Sequence, residues 1–87
     1  MEDGKGTIER DGKVIYEGSS RHVSQIIKGV GILRRMKGQT MTPGSAAFLF
    51  GQQNIHIPPE LWYEALEILC QEGAAICADG DFYVIHA

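Results

Sequence analysis

The sequence predicts a small α+β fold, one domain that opens and closes with a β-hairpin and places two to three helices between them. Three observations carry that expectation. Asp-Gly pairs at Asp11-Gly12 and Asp79-Gly80 each sit between β-prone runs. Apolar residues recur at helical spacing from Val23 to Leu33 and again from Leu61 to Leu69. Glycine and proline punctuate the chain between these segments, at Gly18, Pro43, Pro58-Pro59 and Gly73. At 87 residues there is room for a single hydrophobic core. A composition of 44% hydrophobic and 22% charged residues is that of a globular chain rather than a disordered one. The domain is expected over 6–87, with 1–5 as a flexible N-terminus.

The elements follow in order. Thr7-Ile8-Glu9-Arg10 and Lys13-Val14-Ile15-Tyr16-Glu17 flank Asp11-Gly12. A tight hairpin turn needs positive φ at both central residues, which Asp and Gly tolerate. Simple alternation puts Ile8, Val14 and Tyr16 on one face. Gly18-Ser19-Ser20 then ends the hairpin and offers a serine N-cap. Val23, Ile26, Ile27, Val30 and Leu33 form an amphipathic stripe that favours one bent helix over roughly 20–37 above a shorter one that stops at Gly29. Gly29 and Gly31 oppose that helix, each costing about 1 kcal/mol relative to Ala.

Residues 37–44 read as a loop, with Thr42 before Pro43 suited to an N-cap and first helical position. Ser45–Phe50 is too short and too apolar to choose between helix and strand. After Pro58-Pro59, Leu61, Trp62, Ala65, Leu66 and Leu69 share one helical face, and Gly73 closes that helix. Of the adjacent aromatics, Trp62 is expected inward and Tyr63 at the rim. Ala75–Ala78 and Phe82–His86 complete the second hairpin. The expected core is Ile8, Val14, Tyr16, Val23, Ile26, Ile27, Val30, Leu33, Phe48, Leu49, Leu61, Trp62, Leu66, Leu69, Ile76, Phe82 and Val84.

Two short helices, a longer one and a terminal hairpin resemble a winged helix-turn-helix. The stretch from Leu66 through Gly73 and Ile76 to Asp79-Gly80-Asp81-Phe82-Tyr83-Val84-Ile85 looks like the third helix and wing of that superfamily. The resemblance covers about half of the chain and implies a winged-helix-like fold, not a function.

Charge is the most informative feature. The net charge of −3 conceals three blocks. Residues 1–17 are mixed, 18–59 contain Arg21, Lys28, Arg34, Arg35 and Lys37 with no acid, and 60–87 contain acids with no Lys or Arg. Such segregation points to a charged partner or to neutralisation of one block by another across the fold. Glu60, Glu64 and Glu67 fall at helical spacing, with Tyr63 among them and Asp79 and Asp81 at the last turn. This set is the candidate surface for a protein partner of complementary charge. Arg21, Lys28, Arg34, Arg35 and Lys37 are the alternative set, for contacting nucleic-acid phosphates.

Other chemistries find no pattern. Cys70, Cys77, His22, His56 and His86 show no metal-ligand spacing, and both cysteines are expected to pack as small apolar residues. No nucleophile motif or phosphate loop is present. No cofactor is expected. No apolar run approaches a bilayer's thickness, the first residues are unlike a secretory signal, and two cysteines suit a reducing cytoplasm. The sequence therefore leads to a non-enzymatic protein-interaction module, a small stoichiometric regulator or inhibitor. Nucleic-acid binding is the alternative, and a homodimer stays open.

Overall fold

The computed structural model describes residues 4–79 and 82–86. Among them are three helices and five strands in two antiparallel sheets. In order they are β1 (Lys5–Arg10), β2 (Lys13–Ser19), α1 (Ser20–Leu33), β3 (Thr40–Met41), α2 (Pro43–Gly51), α3 (Pro59–Gln71), β4 (Ala75–Asp79) and β5 (Phe82–Ile85). The α+β class and the hairpin at each end agree with the sequence. Of the stretch 1–5 expected to be flexible, residues 1–3 lie outside the described residues, and Lys5 already pairs with Ser19.

Local signals act where the chain placed them. Asp11 and Gly12 take φ of 54° and 80°, the positive pair that a tight hairpin turn requires. The Ser19 hydroxyl accepts from the His22 N–H and starts α1. Thr42 and Ser45 bond reciprocally to each other's backbone N–H groups, with Pro43 at the first turn, so 45–50 is a helix rather than a strand. Gly73, at φ 79°, turns the chain out of α3.

The boundaries and the faces bring corrections. Helix α1 stops at Leu33 instead of running to 37, and Arg34 caps it. Part of the expected loop 37–44 pairs with β5 as β3, so the C-terminal sheet has three strands in the order β3-β5-β4. An irregularity between Ile8 and Glu9 breaks the hairpin's alternation. Ile15 and Tyr16 are then both half-buried and Val14 is exposed. Ile8 is likewise half-buried against the core.

Helix α2 buries Ala46 and Phe50, one turn apart, so Phe48 and Leu49 point outward, Phe48 with 71% of its surface exposed. A run of five apolar residues, 46–50, cannot place every member on one helical face. In the C-terminal sheet the parity is opposite to expectation. Tyr83 and Ile85 are buried, Val84 is intermediate, and Ile76 and Phe82 are exposed. Ile27 leaves the core stripe and is 58% exposed.

The core forms between α1, α2, α3 and the inner face of the C-terminal sheet. Trp62 lies at its centre, fully buried, stacked on Phe50 with ring centroids 5.0 Å apart and planes at 28°. Among the described residues its indole N–H finds no hydrogen-bond partner, and the ring is seated by packing. The six-membered part of the ring also meets α1 at Gly29. A Cβ built there would lie 3.2 Å from Trp62 Cζ3 and 3.5 Å from the Ala65 Cβ. Gly29 is thus the close-approach point of α1 and α3, which explains a residue that disfavours the helix it occupies. Gly31 differs, because a Cβ there would meet nothing within 4 Å.

The two glycines should therefore respond in opposite senses. Gly29→Val should lower stability by about 1–3 kcal/mol through overpacking against the indole. Gly31→Ala should raise it by about 0.5–1 kcal/mol through helix propensity alone. Thermal unfolding checks both, since about 1 kcal/mol moves the midpoint of a domain this size by about 4–8 °C. Equal midpoints for Gly29→Val and the parent would contradict the packing.

Candidate functional site: the outward stripe of α3

Helix α3 divides its residues cleanly. Leu61, Trp62, Ala65, Leu66, Ile68 and Leu69 are buried. Glu60, Tyr63, Glu64 and Glu67 follow the i, i+3, i+4, i+7 pattern and form one outward stripe. The structure thus brings together four of the six residues chosen from sequence for a protein contact. Asp81 lies outside the described residues, and the Asp79 backbone ends β4. Tyr63 is exposed at the rim beside the buried Trp62.

Within the stripe the carboxylates differ. Glu67 accepts a hydrogen bond of 2.6 Å from the Tyr83 hydroxyl, which ties α3 to β5. Burial raises the Tyr83 hydroxyl above its ordinary 10.0, and the bond to Glu67 adds to that. Burial also pushes the Glu64 carboxyl up from 4.5, and the charge of Glu67 adds to it. Glu64 is thus a partly enclosed carboxylate whose neighbour repels it. A cation brought against the stripe would offset the repulsion between the two carboxylates. Glu60 lies in the first turn of α3, where a negative charge suits the positive end of the helix dipole.

The basic segment is arranged otherwise. Arg21 and Lys28 lie on the outward side of α1, and Arg35 and Lys37 follow its end, all exposed. Arg34 is held within the fold. Its guanidinium pairs with Glu72, and Arg10 from β1 pairs with the other oxygen of the same carboxylate. Part of the basic block is therefore neutralised by the acidic block within the fold. Glu72 was not singled out from sequence. It lies at the C-cap of α3, and the packing of β1 and α1 around it encloses it.

Helices α1 and α3 meet through Gly29 and Trp62, so their charged faces point away from that joint. The domain presents cations along α1 and carboxylates along α3. Cys70 is half-buried, and burial, foremost, raises its thiol. Cys77 is exposed, contrary to the expectation that it packs as a small apolar residue. Among the described residues no three His, Cys, Asp or Glu converge as a metal site requires, and no helix is long and apolar enough to cross a membrane. In comparisons with known proteins, no family model, no curated protein and no solved structure matches the chain.

The raised Tyr83 hydroxyl fixes a pH dependence. A group held protonated in the fold contributes stability that is complete below its unfolded value and is lost as pH rises above it. Tyr83→Phe should therefore cost about 1–3 kcal/mol near neutral pH, the range for losing a buried hydrogen bond to a carboxylate. Above about pH 10 the parent should lose stability more steeply than the variant, so the gap closes. Urea unfolding of both proteins from neutral to alkaline pH measures this. A constant gap would mean that Tyr83 titrates as an ordinary exposed phenol.

Proposed function

We propose that this domain is a non-enzymatic protein-interaction module that docks the outward stripe of α3 on a basic surface of another protein. A small stoichiometric regulator or inhibitor works in this way. The observation that supports the reading is the stripe itself: Glu60, Glu64 and Glu67 around an exposed Tyr63, with Glu64 raised by burial and by its neighbour. Complementary charge would speed encounter and select the partner, and a tyrosine among carboxylates offers contact area with a polar tip.

The order α1, β3, α2, α3, β4, β5 fits the winged-helix resemblance, with α3 in the place of the third helix. In nucleic-acid recognition that helix enters a groove lined by phosphates. Here it would carry carboxylates into that groove and be repelled. The pairing of Arg34 with Glu72 further reduces the basic set that an alternative nucleic-acid contact would use. The exposed Lys28, Arg35 and Lys37 are what favour that alternative.

Affinity capture from native cell extract separates the two readings. The immobilised domain is compared with Glu60→Lys/Glu64→Lys and with Lys28→Ala/Arg35→Ala. Glu67 is left intact because it holds Tyr83. The reading expects a protein retained by the parent and by the α1 variant, and bound at least about tenfold more weakly by the α3 variant and at high salt. Retention that is indifferent to α3 reversal would overturn it. Retention of nucleic acid at physiological salt, lost in the α1 variant, would establish the alternative instead.

A further inference from the structure

Gly31 has no packing reason to be glycine. It sits within α1, where glycine is disfavoured, its backbone is not left-handed, and a Cβ there would meet nothing within 4 Å. Gly29, two residues earlier, is explained by Trp62. What Gly31 does is leave open the floor of a pocket of about 310 Å³ between the N-terminal hairpin and the helices. The walls are Ile8 of β1, Ile27 and Val30 of α1, and Ile68 of α3. This also accounts for Ile27, which leaves the core to face the pocket.

The polar lining residues are Arg10, Arg34 and Glu72. Arg34 and Glu72 cap the C-terminal ends of α1 and α3, so both helices finish beside one another at that side. Each oxygen of Glu72 takes one guanidinium, Oε2 from Arg10 and Oε1 from Arg34. The Glu72 side chain is only 7% exposed, whereas those of Arg10 and Arg34 are 44% and 48% exposed. The carboxylate is thus enclosed, and the guanidiniums keep further N–H groups open to solvent. Two cations on one anion leave a single positive charge beside an apolar cleft.

We infer that this seam binds a small amphipathic monoanion, a molecule with an apolar chain and one carboxylate head. The chain lies against Ile8, Ile27, Val30 and Ile68 over the bare Gly31. The head takes the outward N–H groups of Arg10 and Arg34, for which a carboxylate is the geometric match. A cleft of this volume, mostly apolar with a few convergent polar groups, has the make-up of a small-molecule site. The site is separate from the outward stripe of α3 and does not depend on the protein contact proposed there.

Octanoate is the probe, with octan-1-ol and octylammonium as matched controls. The full chain, labelled at Ile and Val methyl groups, is titrated and followed by NMR. Saturable shifts are expected at Ile8, Ile27, Val30 and Ile68 with octanoate, and affinity at least about tenfold weaker for either control. Gly31→Leu should fill the pocket and abolish the octanoate shifts while the rest of the spectrum stays dispersed. Arg34→Gln should weaken octanoate and leave octan-1-ol unchanged. No saturable shift with octanoate would overturn the inference. So would equal binding of octan-1-ol, which would reveal apolar adhesion alone, or undiminished binding by a folded Gly31→Leu. The comparison of the three probes on the parent protein decides the question even where a variant does not fold.

Discussion

The contact between Trp62 and the bare backbone at Gly29 sets the geometry of the helices. Any side chain at position 29 would crowd the indole or Ala65, so the separation of α1 and α3 is fixed by one missing methyl group. The indole meanwhile stacks on Phe50 and brings α2 into the same assembly. Tight packing transmits such a constraint, because a dense interior leaves little room to absorb a shift. With α1 and α3 joined on these faces, Arg21 and Lys28 have to point one way and Glu60, Glu64 and Glu67 another. The electrostatic polarity of the molecule is a consequence of that joint.

Charge is then used in two different ways. Glu72 is spent inside the fold, where it bridges Arg10 and Arg34 and clips the N-terminal hairpin to the ends of α1 and α3. Pairs whose cations are about half exposed contribute modestly to stability, so this cluster matters more for position than for energy. Glu67 has an intermediate role, since it holds Tyr83 while remaining on the outward stripe. Glu60 and Glu64 remain as the carboxylates available to a partner. The block pattern of the sequence is therefore part internal neutralisation and part display.

Signals that act over a few residues were legible in the sequence. Asp11-Gly12, Ser19, Thr42-Pro43 and Gly73 each mark a turn or a helix end, because each solves a local backbone problem. The outward stripe of α3 was legible for the same reason, as helical spacing alone defines it. Features that depend on distant partners were not. Whether Phe82 or Tyr83 faces inward is a single-residue choice of parity, decided by the pairing with β3 and β4 and by Glu67 waiting beneath Tyr83. Phe48 and Leu49 look like core until Ala46 and Phe50 are seen to take the face toward α3. Glu72 and the pocket depend on β1 lying across two helices that are remote in sequence, and Gly29 reads as a defect until the indole is placed beside it.

The most direct test of this account is the contact on which it depends, read by proton NMR in solution. With the indole ring against its backbone, Gly29 should show α-proton resonances displaced by the ring current and nuclear Overhauser contacts to the six-membered ring of Trp62. Random-coil positions for those protons, with no contact to the indole, would mean that α1 and α3 are not joined there. The opposed placement of their charged faces would then lose its basis.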